Sequence, residues 1–150
     1  MLDLIVRNAI LTDGRSGIDI ACQNGRIVEL QSSLQATATR EINADSCLVT
    51  PPFIDSHFHM DSTLTYGRPR VNESGTLLEG IALWGELKPE LTFEDIKQRA
   101  LELCRWAIAK GNLAIRSHVD ICDPSLLAVE ALLEVREQIK PYLDLQPVSY

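Results

Sequence analysis

Apolar and polar positions follow two different rhythms along the chain. Up to about residue 50 the period is two. Leu2, Leu4 and Val6 alternate with Asp3, Ile5 and Arg7, and the run closes on Asp13-Gly14, a turn signal. A second run, Ile18-Asp19-Ile20-Ala21-Cys22, meets Asn24-Gly25, and Arg26-Ile27-Val28-Glu29-Leu30 returns beyond it. Asn-Gly suits a type I′ turn, whose two central residues need positive φ, so the spacing predicts a β-hairpin. Residues 31–40 are polar and weakly patterned and read as a loop, and Cys47-Leu48-Val49-Thr50 reads as a short strand. Residues 1–50 are therefore expected to form a small antiparallel β-sandwich module.

Pro51-Pro52 removes two ladder donors and ends that module. The rhythm then changes. Phe53 to His59 reads as a strand leading into a polar loop, residues 61–75. Leu77, Leu78, Ile81, Trp84 and Leu87 recur at helical spacing over residues 76–88, and Pro89 stops that helix. Thr92 is an N-cap signal with acidic residues behind it, opening a helix that buries Ile96, Ala100, Leu103, Ala107 and Ile108 and ends at Gly111. Leu113 to Asp120 reads as a strand. Asp123-Pro124 reads as a helix start, with Leu126, Leu127, Val129, Leu133 and Ile139 on its apolar side and Pro141 at its end. Leu143 to Val148 begins one more strand. Strand, helices, strand, helix, strand is the order of a parallel α/β sheet built by right-handed crossovers.

Composition narrows the class. Of 150 residues, 45% are hydrophobic and 23% charged, with 8 Gly and 7 Pro, which are globular proportions. A net charge of −7 argues against nucleic acid or an anionic membrane as partner. Cys22, Cys47, Cys104 and Cys122 form no C-x-x-C pair and read as ordinary thiols of a reducing compartment. Met1-Leu2-Asp3-Leu4 lacks the basic and apolar regions of a signal peptide, and no apolar run approaches the ~20 residues of a membrane span. The expected setting is cytoplasmic.

The sharpest chemical signal is His57-Phe58-His59, two of only three histidines. Side chains alternate along a strand, so both imidazoles point to one side, where they can share a divalent metal at ~2.0–2.1 Å. The pair closes a strand, and the C-terminal ends of parallel strands carry the active sites of such folds. Asp55 shares their parity and could orient an imidazole, or be a solvated carboxylate at the strand entry; Asp61 could do likewise from the loop, or form a turn. His118 and Asp120 end the next strand at the same edge and either line the site or form a polar network there. Trp84 and Trp106 read as core, Glu79 and Glu86 as solvated, and Arg68-Pro69-Arg70 as a small basic spot. No phosphate-binding glycine loop and no G-x-S-x-G elbow occurs.

Leu48-Val49-Thr50-Pro51-Pro52-Phe53-Ile54-Asp55-Ser56-His57-Phe58-His59-Met60-Asp61 resembles the opening of the metal-dependent amidohydrolase superfamily. Glu73-Ser74-Gly75-Thr76-Leu77-Leu78-Glu79-Gly80-Ile81, Arg116-Ser117-His118-Val119-Asp120 and Leu143-Asp144-Leu145-Gln146 are similar to its cytosine deaminase branch. The resemblance implies the first three strands of a TIM-type β/α barrel over residues 51–150, behind the β-module. Such a barrel closes with about 250 residues, so it is incomplete in this chain, which is expected to be the N-terminal part of a longer enzyme or to need a partner.

The resemblance also implies one divalent ion per subunit, Fe2+ or Zn2+, held by His57 and His59. It implies deamination of a cytosine-like ring (cytosine plus water to uracil plus ammonia, in pyrimidine metabolism) by attack of metal-bound hydroxide. Leu77 would bind substrate through its backbone carbonyl. The family's other ligands and proton-shuttling residues fall beyond Tyr150, so the catalytic residues are unknown here. The implied partner is a small nucleobase-like molecule, and the implied assembly a homo-oligomer. Isoguanine, 5-methylcytosine, creatinine, pterins and hydantoin-type rings fit the same chemistry, and an inactive fragment needing the rest of the barrel is the remaining alternative.

Overall fold

The computed structural model describes residues 1–149. They divide into two compact units, Met1–Pro51 and the residues from Pro52 onward.

The first unit is a sheet of five strands: β1 (Leu2–Leu11), β2 (Ile18–Gln23), β3 (Arg26–Ser32), β4 (Ala38–Asn43) and β5 (Leu48–Val49). The order is β3-β2-β1-β4, with β5 pairing the far end of β1. The hairpin β2–β3 turns at Asn24 and Gly25, both at positive φ (52° and 71°), as the dipeptide predicts. The unit is not purely antiparallel, because β4 and β5 run parallel to β1. Residues 31–40 are likewise not simply a loop. β3 extends into them, and β4 begins at Ala38, a mostly exposed strand whose polar sequence carries no alternation to read. The connection between β3 and β4 is fastened by charge as well as by burial of Leu34 against Ile5 and Ala21. The Arg7 guanidinium donates to the Leu34 and Ala36 carbonyls (2.6 and 2.7 Å) and pairs with Asp19 and Glu41. Asp19, buried on β2, also accepts from the backbone N–H groups of Asn8 and Leu34, both at 3.0 Å. Asn8 is the positive-φ residue at a bulge in β1, beyond which Ala9 replaces Ile5 as the buried residue.

In the second unit three parallel strands stand in chain order: β6 (Phe53–Phe58), β7 (Asn112–Val119) and β8 (Asp144–Ser149). Between them run α1 (Leu77–Leu87) with one 3-10 turn after it, α2 (Phe93–Ala109) and α3 (Leu127–Ile139). This is the opening part of a parallel β/α barrel. Along β7 the residues Ile115, Ser117 and Val119 are buried, while Arg116 between them is exposed. α2 and α3 pack on each other and on β7 and β8, with Ile96, Ala100, Leu132, Val135 and Leu145 in one core beneath the sheet. Thr92 caps α2 by accepting from the Asp95 N–H at 3.2 Å, as its position predicts.

α1 forms where its spacing predicts, with Leu87 buried and Leu77, Leu78 and Ile81 exposed. Two expectations need correction. Asp123 does not cap α3. Its carboxylate takes the Ser125 N–H and hydroxyl, closing a separate turn, and the helix starts only after Leu126 at positive φ. Trp106 is no core residue; its indole N–H reaches out to Glu102 at 2.7 Å.

Folding lowers the Asp19 pKa. Burial opposes ionisation, but the Asn8 N–H, the Arg7 guanidinium and the Leu34 N–H outweigh it. Its bonds are therefore at full strength above about pH 3.9, the ordinary aspartate value, and fade as pH falls through the lower folded value. Asp19→Asn turns an amide N–H toward one of these donors. We expect a loss of about 1–3 kcal/mol in this unit, read as amide exchange in β1 and β2 quickened by about ten-fold or more. Thermal melting of the variant should also lack the acid-side step shown by the wild type.

Candidate metal centre

The sheet of the second unit has one face covered by helices and one bearing polar side chains. On the polar face Arg116 of β7 donates to the Gln146 side chain of β8 at 3.2 Å. His57 belongs to β6 and His59 follows it directly. Phe58 between them packs against the core, so alternation turns both imidazoles the other way. Their ring centres are 5.3 Å apart, at 65° to each other. Two imidazoles sharing one ion at ~2.0–2.1 Å stand with ring centres roughly 5 Å apart, so this spacing fits one divalent metal. Among the described residues no group of three or more His, Cys, Asp or Glu is arranged to hold an ion.

His118 joins the pair. Its ring stacks on His57 with centres 4.0 Å apart and lies 5.8 Å from His59. Burial, then repulsion from His57, His59 and Arg116, hold its pKa below the ordinary imidazole value, against a bond with the Phe58 backbone.

The aspartates do different work. Asp55 accepts from the His57 backbone N–H at 3.1 Å, a local bond that stiffens the end of β6. Asp61 is 1% exposed. One oxygen takes the Ser62 N–H at 2.9 Å and the other the Asp120 N–H at 3.0 Å, which ties the chain after β6 to the end of β7. The Ser117 hydroxyl adds a second tie, accepting from the Met60 N–H at 3.0 Å. Asp120 in turn fastens α1: its carboxylate pairs with Lys88 and accepts from the Trp84 indole at 3.0 Å and the Cys122 N–H at 2.8 Å. Burial would raise the Asp120 pKa, but Lys88, the Cys122 N–H and Trp84 outweigh it and hold the carboxyl far below its usual range.

Beside these carboxylates opens a cavity of about 550 Å³, lined by Asp61, Tyr66, Arg70, Leu77, Trp84 and Asp120 among others. Its cations are already neutralised. Arg68 pairs with Asp95 at 2.9 Å, and Arg70 with Glu79 and Glu86 at 2.8 and 2.9 Å. Glu79 and Glu86 are thus not free solvated acids. Glu79 is held at about 2 by the Ser74 hydroxyl, then the Ser74 N–H and Arg70.

The three histidines come together, then, while Asp61 and Asp120 stand beside the cavity that Leu77 also lines, and Asp55 engages its own backbone. Sequence reasoning missed Arg99, Lys88 and the part played by Trp84, whose indole is a donor to Asp120 rather than plain core. Arg99 carried a faint signal, a cation beside Ala100 on the side of α2 that the apolar spacing buries.

Residues 40–140 match the model of the amidohydrolase family. The chain is 35% identical over 153 residues to the N-isopropylammelide isopropyl amidohydrolase of Pseudomonas sp. (strain ADP), covering 99% of this chain and 38% of the relative. It is 29% identical to a 5'-deoxyadenosine deaminase of Methanosarcina barkeri, covering 87% of this chain and 31% of that one. Among solved structures, the 5-methylcytosine deaminase of Klebsiella pneumoniae liganded with 5-fluorocytosine superimposes with a TM-score of 0.87 at 39% identity, over 97% of this chain and 36% of that one. The chain thus spans 31–38% of the length of these relatives. On the matched span and these identities, the chain belongs to the amidohydrolase family.

Proposed function

We propose that the protein to which these residues belong is a metal-dependent aminohydrolase that deaminates a cytosine-like heterocycle. The observation that carries this reading is the pair of imidazoles at the end of β6, spaced and turned to share one ion. His57 and His59 supply two ligands to one Fe2+ or Zn2+ per subunit, and chain beyond the described residues supplies the rest. When bound, such an ion acts as a Lewis acid and lowers the pKa of water toward ~7. His118, stacked on His57, fixes that ring's plane. Asp55 fixes the backbone of His57, and Asp61 and Asp120 hold the strand ends from which the site rises.

The choice of ring is supported by the likeness to the deaminase structure holding 5-fluorocytosine and by the character of the cavity. Tyr66, Leu77 and Trp84 offer it aromatic and apolar surface, while its arginines are spent on internal carboxylates. A flat neutral ring suits such a wall better than an anion. Leu77, at the N-terminal end of α1, is assigned to contact substrate through its carbonyl. A second reading keeps the chemistry and changes the leaving group: the 35% identity to an N-isopropylammelide amidohydrolase favours an alkylamino-triazine in place of cytosine. In either case the partner is a small nucleobase-like molecule and the assembly a cytoplasmic homo-oligomer.

Full-length protein loaded with Zn2+ or Fe2+ should release ammonia from cytosine or 5-methylcytosine. Isopropylamine released from N-isopropylammelide, with no ammonia from either pyrimidine, would select the second reading. No amine from any of the three would sink both. His57→Ala and His59→Ala should each remain folded and lose most of the bound ion, measured as metal per subunit after gel filtration. Wild-type metal content in both variants would remove the pair from the site.

A further inference from the structure

The chain that leaves His59 is held from an unexpected side. Arg99, on α2, lies 38 residues further along than Asp61 and is 8% exposed. Its Nη1 donates to two successive features of the loop, the Asp61 carbonyl at 3.0 Å and the Thr63 carbonyl at 2.5 Å. Its Nε donates to Asp95 at 3.0 Å, the N-terminal-turn carboxylate that also takes Arg68 from the far side of the same loop. Nη2 is buried without a hydrogen-bond partner, so two carbonyls and one carboxylate alone orient the guanidinium. A buried arginine costs several kcal/mol of desolvation unless its partners offset it, and a loop needing only to be closed could be closed by backbone bonds. The planar fork sets a direction as well as a distance, which an ammonium cannot do.

We infer that Arg99 is a positioning residue for the His57–His59 pair, acting through the carbonyls of Asp61 and Thr63. The inference rests on the reading of that pair as metal ligands. The path is short and continuous. Arg99 fixes the peptides at Asp61 and Thr63. The Asp61 carboxylate, so placed, reaches the Asp120 N–H, and Met60, its neighbour, donates to Ser117. His59 is the next residue back. The direction in which its imidazole leaves the chain is therefore set between β6 on one side and the α2 guanidinium on the other.

The test uses the full-length protein with Co2+ and Zn2+ as probes. Arg99→Met keeps the bulk and removes all donors; Arg99→Lys restores charge without the fork; Asp61→Asn alters the same path from the other side. We expect Arg99→Met to remain folded and to bind Zn2+ about 10–100-fold more weakly in chelator competition, as groups that orient metal ligands do. We expect the visible spectrum of its Co2+ form to change in intensity, and Arg99→Lys to recover only part of both. Lower thermal stability with unchanged affinity and spectrum would reduce Arg99 to a structural residue and overturn the inference. If Arg99→Met fails to fold, Arg99→Lys decides by the same two readouts, wild-type affinity and spectrum overturning the inference, and failure of both arginine variants to fold also overturns it. His57→Ala and His59→Ala run in parallel keep the two claims apart. Metal loss in those variants with none in Arg99→Met defeats the positioning role alone, while no loss anywhere defeats the ligand pair.

Discussion

The second unit depends on one buried carboxylate. Asp61 is almost fully enclosed, and each of its oxygens is committed to a backbone N–H, one on its own loop and one at the end of β7. A buried carboxylate is tolerated there because both of its oxygens are met by backbone donors. The consequence reaches beyond stability. Two parallel strands whose C-terminal ends were left to loop entropy would splay, and the histidines on them would not keep a fixed separation. With Asp61 in place, β6 and β7 stay paired to their ends, Phe58 against Ser117, and the rings of His57, His59 and His118 have their centres within 5.8 Å of one another.

The sheet separates two tasks by alternation. Ile115, Ser117 and Val119 face the helices and are buried, so β7 is stabilised on that side by apolar burial and by one hydroxyl bond. Arg116 and His118 occupy the intervening positions and leave the other face polar. A substitution on the helix side would act on folding, and one on the polar side on chemistry, although the residues are neighbours in sequence. The exception is the polar armature of Asp61 and Arg99, buried like a core, with the half-buried Asp120 joined to it; it touches the residues flanking the histidines.

How much of this the sequence could reveal follows from range. Contacts between near neighbours were legible: the Asn24-Gly25 turn, the Thr92 cap, and the shared parity of His57 and His59 all arise within a few residues. The amidohydrolase resemblance was legible too, because its motifs are local. β4 was not, since a strand that pairs with β1 across a 30-odd-residue separation and stays exposed needs no apolar alternation. Nor were the roles of Asp61 and Asp120. Both were candidates, but a carboxylate whose partner is a backbone N–H 59 residues away looks the same in sequence as a solvated one. In α1 the helix itself was legible but its fastening was not. Leu77, Leu78 and Ile81 have helical spacing, yet the helix is fastened by Trp84 and Lys88 to Asp120, two side chains that periodicity alone ranks as core and surface.

That fastening gives the cavity its chemistry. A helix held by its apolar stripe would have turned Leu77 and Ile81 inward and closed the space beside Asp61. Held instead through an indole N–H and an ammonium, α1 lies with part of the stripe along the cavity wall. Arg70 meanwhile spends its charge on Glu79 and Glu86 of the same helix. The electrostatic cost of anchoring a helix by polar groups is thus met inside the wall, and what remains facing the cavity is aromatic and apolar surface with few uncommitted charges. Such a surface is suited to contact by shape and by stacking, as the proposed function requires.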